Sequence, residues 1–158
     1  MDEKRDMLRH AVATIAYRGG KALRGAPPSF AAFRAAPTSR AAGEILAHVG
    51  DLFDWALTMA KGAEHWHDSA ARTWEADVDR FSHTIAAFDA HLASDQPLAC
   101  PAERLFQGPI ADALTHIGQI AMLRRLAGSP VRGENYSRAD ITAGRVGAEQ
   151  SPPRREFD

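Results

Sequence analysis

Six large apolar residues, Trp74, Val78, Phe81, Ile85, Phe88 and Leu92, recur at alternating steps of four and three along one unbroken stretch. That spacing sets all six on one stripe of an α-helix, and a stripe so regular has to be covered by other helices. A helix from about Ser69 to Leu92 is therefore expected, supplying packing and little visible chemistry.

Three further stretches carry the helical period. Leu8, Ala11, Val12, Ile15 and Ala16 share one face of a first helix from about Asp2 to about Leu23, with Gly19-Gly20 expected to fray its end. A connector rich in Ala and Pro, Gly25 to Pro37, leads to Thr38-Ser39, the expected caps of a second helix that reaches about Lys61 and stops at Gly62. Its seam reads Ile45, His48, Leu52, Trp55, Met59. After a loop from Ser94, Pro101 suits the first turn of a last helix ending at about Ala127, before Gly128-Ser129-Pro130.

On that last helix the seam is Leu105, Pro109, Asp112, His116, Gln119, Leu123 and Leu126, with Ile110, Leu114, Ile117 and Ala121 opposite. Apolar nearly all round, it is expected to be among the most buried elements, and Gly118 to admit a neighbouring helix closely. No stretch shows the two-residue alternation of a half-buried strand. The expected fold is all-α: a four-helix bundle over residues 1–131, then a Gly-rich, irregular C-terminal extension, residues 132–158, laid across the bundle. Within that extension Glu134 and Tyr136 are placed to cover an open end of the bundle. The final residues are expected to be mobile or pinned through Phe157.

Composition narrows the function classes. With 158 residues, 45% of them hydrophobic, the chain can build one substantial core. Lys and Arg total 19 against 20 Asp and Glu, so no basic field favours nucleic acid or an anionic membrane. The charged start, Met1-Asp2-Glu3-Lys4-Arg5-Asp6, and the lack of a long apolar run lead to the expectation of a cytoplasmic protein. Cys100 is the only cysteine, which excludes an internal disulfide, a Cys-rich zinc site and a CxxC pair.

Chemistry is expected where polar groups interrupt apolar seams. Asp112 and His116, four apart, share a helix face, and His48 holds a seam position on another helix. Two imidazoles and a carboxylate suit a borderline divalent cation and leave coordination positions open for water or substrate. The trio serves zinc, nickel and iron alike. A buried Asp112 would be costly without a partner, which a cation supplies. The plainer alternative is that Asp112 and His116 bond to each other or to backbone on a water-facing stripe. Glu44, one turn before His48, reads as solvent-facing, with a ligand or ligand-supporting role as the alternative. Glu64-His65-Trp66-His67 reads as a solvated helix end; His10, His83 and His91 read as surface residues, and Trp55, Trp66 and Trp74 as core, with a pocket mouth as the alternative.

The sequence resembles the DinB/YfiT-like superfamily of metal-dependent four-helix bundles in Ala47-His48-Val49-Gly50 and in Asp112-Ala113-Leu114-Thr115-His116-Ile117-Gly118-Gln119-Ile120. That family places one His late in the second helix and a His-x3-His pair, followed by Gly-Gln, in the last. This chain keeps His48, His116, Gly118 and Gln119 and departs at Asp112, where the pattern has a third His. The resemblance runs from about Met1 to Gly128.

It implies a divalent metal, Zn, Ni or Fe, held by His48, Asp112 and His116, with Gln119 orienting a ligand or a nearby water. It further implies a small-molecule substrate, with a low-molecular-weight thiol as cosubstrate, in a transfer or hydrolysis reaction. A homodimer is expected from the apolar last helix. The alternative is a non-catalytic, dimeric helical bundle with a binding or stress-associated role; a DNA-binding regulator finds no basic stripe to support it.

Overall fold

A computed structural model describes residues 2–157; Met1 and Asp158, the outer ends of the two expected stretches, lie outside the described residues. The chain folds into an all-α bundle of α1 (Glu3–Leu23), α2 (Ala42–Ala60), α3 (Trp74–Ala93) and a last rod made of α4 (Ala102–Leu105), a π-turn (Phe106–Ile110) and α5 (Ala111–Leu126). α1 packs on α3 and α5, and α2 packs on the same two. α1 therefore lies diagonally across from α2, and the connector between them has to cross the end of the bundle. A 3₁₀ turn, Pro28–Ala32, does this and buries Phe30 edge-on against Trp74 at 5.2 Å.

The stripes read from the sequence form the core. Val12, Ile15, Leu46, Val49, Phe53, Ile85, Phe88 and Leu92 are almost wholly excluded from solvent, and burying each contributes about 1.5–3 kcal/mol. Phe53 meets Phe81 and Phe88 at 6.4 and 6.2 Å. Gly19 and Gly20 do not fray α1. A Cβ at Gly19 would lie 2.6 Å from the Phe81 ring, so the glycine is where α3 approaches α1 most closely.

Helix ends depart from expectation in three places. Thr38 and Ser39 do not cap α2: it starts at Ala42, where the Glu44 carboxylate accepts from the Ala41 N–H at 2.7 Å, half of a capping box. The third helix starts at Trp74 rather than near Ser69, because the Ser69 N–H donates to the Asp51 carboxylate and Thr73 is the cap. Within the last rod Pro109 has no N–H to give, and the turn around it widens to a π-turn just before Asp112. Gly62, at φ +75°, stops α2 as expected.

The last rod is not among the most buried elements. Ile110, Ala113, Ile117, Ile120 and Leu123 face the core, while Phe106, Leu114, Met122 and Leu126 are exposed. A Cβ at Gly118 would meet nothing within 4 Å, so no helix approaches there.

The C-terminal residues run back along α1. Gly133–Glu134 pairs antiparallel with Glu156–Phe157, and Lys21 binds both Glu134 and Glu156, at 2.8 and 2.9 Å. Tyr17 donates to Glu134, and Tyr136 packs on Tyr17 and Arg18. Glu134 and Tyr136 thus fasten the tail to the outer face of α1 rather than cover a bundle end. Phe157 is partly exposed, yet it pairs with Gly133 and lays its ring on that glycine, so it pins the final segment together with the Glu156–Lys21 ion pair.

Candidate metal centre

α2 carries His48 and α5 carries Asp112 and His116, and the contact between those two helices brings the three side chains together. His48 Nε2 lies 3.6 Å from Asp112 Oδ2, and His116 Nε2 lies 3.4 Å from Asp112 Oδ1. The two imidazoles meet edge to face, with ring centroids 4.8 Å apart. Donor atoms bound tetrahedrally at about 2.1 Å from one cation are spaced at about 3.4 Å. One donor atom from each residue falls within 4.8 Å of the others, so the group could hold a metal ion.

Gln119, one turn beyond His116, places its Oε1 2.8 Å from His116 Nδ1. With the Gln119 oxygen as acceptor, Nδ1 carries the proton and the Nε2 lone pair is left toward Asp112, the orientation a ligand needs. Burial, reinforced by the positive charge of Arg40, pushes the His48 imidazole below its ordinary value against the pull of Asp112. It is therefore neutral at pH 7 and has a lone pair to give.

Asp112 is not buried. Its side chain is 48% exposed, so the cost of hiding a carboxylate is not the argument for a cation here. What favours one is the convergence of three donors from two helices, with solvent access on the carboxylate side. The trio lies on the flank of the bundle between α2 and α5 rather than in its central seam.

Sequence reasoning missed the segment that frames this flank. Glu64 to His67 are exposed as expected, but residues 61–73 form no helix end; they are an extended strap returning along α2. Trp66 packs on His48 at 5.4 Å and on Trp55 at 5.7 Å, and Glu64 accepts from Trp55 Nε1 at 3.1 Å. Trp55 and Trp66 wall a cavity of about 410 Å³ onto which His48 and Asp112 open, whereas Trp74 belongs to the core as expected.

A second cluster on the same helix was also unforeseen. Asp51, Asp54 and His67 bring donor atoms as close together as the first trio does. Arg80 of α3 fills it: one guanidinium nitrogen lies 2.7 Å from Asp51, 2.6 Å from Asp54 and 3.3 Å from His67. Asp51 also accepts from Ser69 N–H and Oγ at 2.8 and 2.7 Å. Burial alone would raise the Asp51 carboxyl, but the Ser69 and Arg80 bonds hold it below its ordinary value. This is an anchored ion pair that ties the strap down, with the cation built in.

The remaining candidates fall to structural roles. Glu44 pairs with Arg34 at 2.9 Å and caps α2, so it is no ligand. His10 and His83 are exposed. His91 is half-buried, and its Nε2 has no partner among the described residues. Burial pushes the Cys100 thiol up, away from the reactive thiolate.

Among the described residues no helix is long and apolar enough to cross a membrane. Comparison of the chain with protein-family models, with curated proteins and with solved structures returns no match. The donor geometry and the walls around it carry the functional argument.

Proposed function

We propose that the chain is a metal-dependent protein of the DinB/YfiT-like kind, with His48, Asp112 and His116 holding one divalent cation for the transformation of a small molecule. The observation that carries this reading is the meeting of three donor atoms, from α2 and α5, beside open cavities. Asp112 stands where the resembling family has an imidazole; a carboxylate still ligates and lowers the net charge of the loaded site by one.

A zinc, nickel or iron ion bound there supplies Lewis acidity, making a bound water or low-molecular-weight thiol nucleophilic near neutral pH. The chain's own residues do the rest. Gln119 fixes the His116 ring, His48 stays neutral through burial, and Asp112 keeps one face toward solvent, where a substrate enters. Trp55 and Trp66 narrow that approach and exclude water from one side.

The test is elemental analysis of the purified protein beside His48→Ala and His116→Ala. About one zinc, nickel or iron per chain, lost in both variants while the helical content is kept, supports the reading. No bound metal after incubation with each ion and removal of excess overturns it.

A second reading, a non-catalytic bundle that works as a homodimer, has one observation in its favour: Phe106 and Leu114 are exposed on the last rod. It calls for a dimer in sedimentation that Leu114→Asp converts to monomer, with no metal found.

A further inference from the structure

His116 and Gln119 also line a cavity of about 700 Å³ on the side away from Asp112, between α5 and the segment before α2. The size suits a small organic ligand, and such sites are mostly apolar with a few polar groups that fix orientation. The walls are apolar over most of their extent, supplied by Ile45, Met122, Leu123 and Leu126. Arg40 is the one residue of fixed charge in that lining.

Arg40 is exposed and makes no hydrogen bond or ion pair among the described residues; its charge reaches the Glu44 carboxylate from a distance. The nearest candidate, Glu44, is already engaged by Arg34 and by the Ala41 N–H. Two arginines thus share one carboxylate at the cavity entrance, leaving a surplus positive charge. With a divalent cation and Asp112 in place, the positive excess at this end is larger still.

We propose that this cavity takes a small organic anion with an apolar body: its anionic group sits between Arg40 and the His116 end, and its chain lies along Ile45, Met122 and Leu126. The inference stands apart from the metal-site reading: this cavity is lined by neither His48 nor Asp112, which open onto the one walled by Trp55 and Trp66. A lone arginine at the rim of an apolar trough suits a carboxylate ligand, because Arg offers a planar fork of donors matched to it. A second copy of the chain would need a carboxylate to meet Arg40 in the trough, and the exposed face of α5 offers Arg125 beside Met122 and Leu126 instead.

The experiment measures binding of octanoate and of its neutral counterpart octanamide by titration calorimetry, with bound metal determined in the same samples. The wild type is expected to bind octanoate about tenfold more tightly than octanamide, and Arg40→Gln to bring octanoate down to the octanamide level. Leu126→Asp, at a position 57% exposed and outside the core, should weaken both ligands, and Arg125→Gln should change neither. Equal binding of the two ligands, indifference to Arg40→Gln, or no octanoate binding at millimolar concentration overturns the proposal. So does a dimer that Leu126→Asp dissolves while octanoate leaves it intact, since the trough would then belong to a second copy. Metal-free protein that still reads octanoate through Arg40 keeps this inference and sinks the metal centre; metal-loaded protein indifferent to Arg40 does the reverse.

Discussion

Two clusters on neighbouring turns of α2 bring together the same kinds of donor and reach opposite outcomes. At Asp51, Asp54 and His67, a guanidinium from α3 occupies the centre and Ser69 satisfies what remains. At His48, Asp112 and His116, no cationic side chain reaches the centre; the donors face one another at 3.4–3.6 Å with Gln119 behind one ring. Counting carboxylates and imidazoles does not separate an ion-pair anchor from a metal site. Whether the fold already supplies the positive charge does.

The sharpest way to break that distinction is to remove the built-in cation. Arg80→Met leaves Asp51, 2% exposed, with an uncompensated charge, and is expected to cost about 3–5 kcal/mol in chemical denaturation. Asp112→Ala, by contrast, should change stability by less than about 1 kcal/mol, because its carboxylate is half in water. Similar losses in the two variants would mean that both clusters are structural anchors and that the contrast is false.

Metal affinity should respond in the reverse order. Loss of a residue that only supports a ligand typically costs 10–100-fold, so Asp112→Ala is expected to weaken zinc binding at least on the order of 100-fold. Gln119→Leu, which frees the His116 ring without removing a donor, should weaken it about tenfold. Competition with a chromophoric chelator measures both; an unchanged affinity in Asp112→Ala would show that the carboxylate is a bystander.

Much of this was legible in the sequence because it is local or periodic. Helical spacing along Leu8 to Ala16, Ile45 to Met59 and Trp74 to Leu92 identified the core stripes, since a helix repeats every 3.6 residues whatever packs on it. The candidate trio, His48, Asp112 and His116, could be read as an i, i+4 pair plus a seam histidine on a second helix. What was not legible depends on contacts distant in sequence. Arg80 joins Asp51 across 29 residues, and nothing near Ser69 announces that its N–H will be taken by an aspartate rather than by a helix. The burial of the last rod was overestimated because an apolar composition does not say which faces find a neighbour. Leu114, Met122 and Leu126 do not.

The smallest expected effect separates the anchor from the buried imidazoles by pH. Asp51 has a folded value below its ordinary 3.8, so its contribution is complete above that value and is lost only as pH falls through the folded value. Between pH 7 and pH 5 the anchor therefore adds no slope. His91 is different: burial holds its imidazole below the ordinary 6.5, and the unfolded chain takes up the proton first. Stability from keeping it neutral is full above 6.5 and erodes as pH falls from there through the folded value. Metal-free protein should thus lose a few degrees of Tm between pH 7 and pH 5, about the size of a 1 kcal/mol change. His91→Gln should flatten part of that slope, and a slope unchanged in His91→Gln would place the titrating group elsewhere.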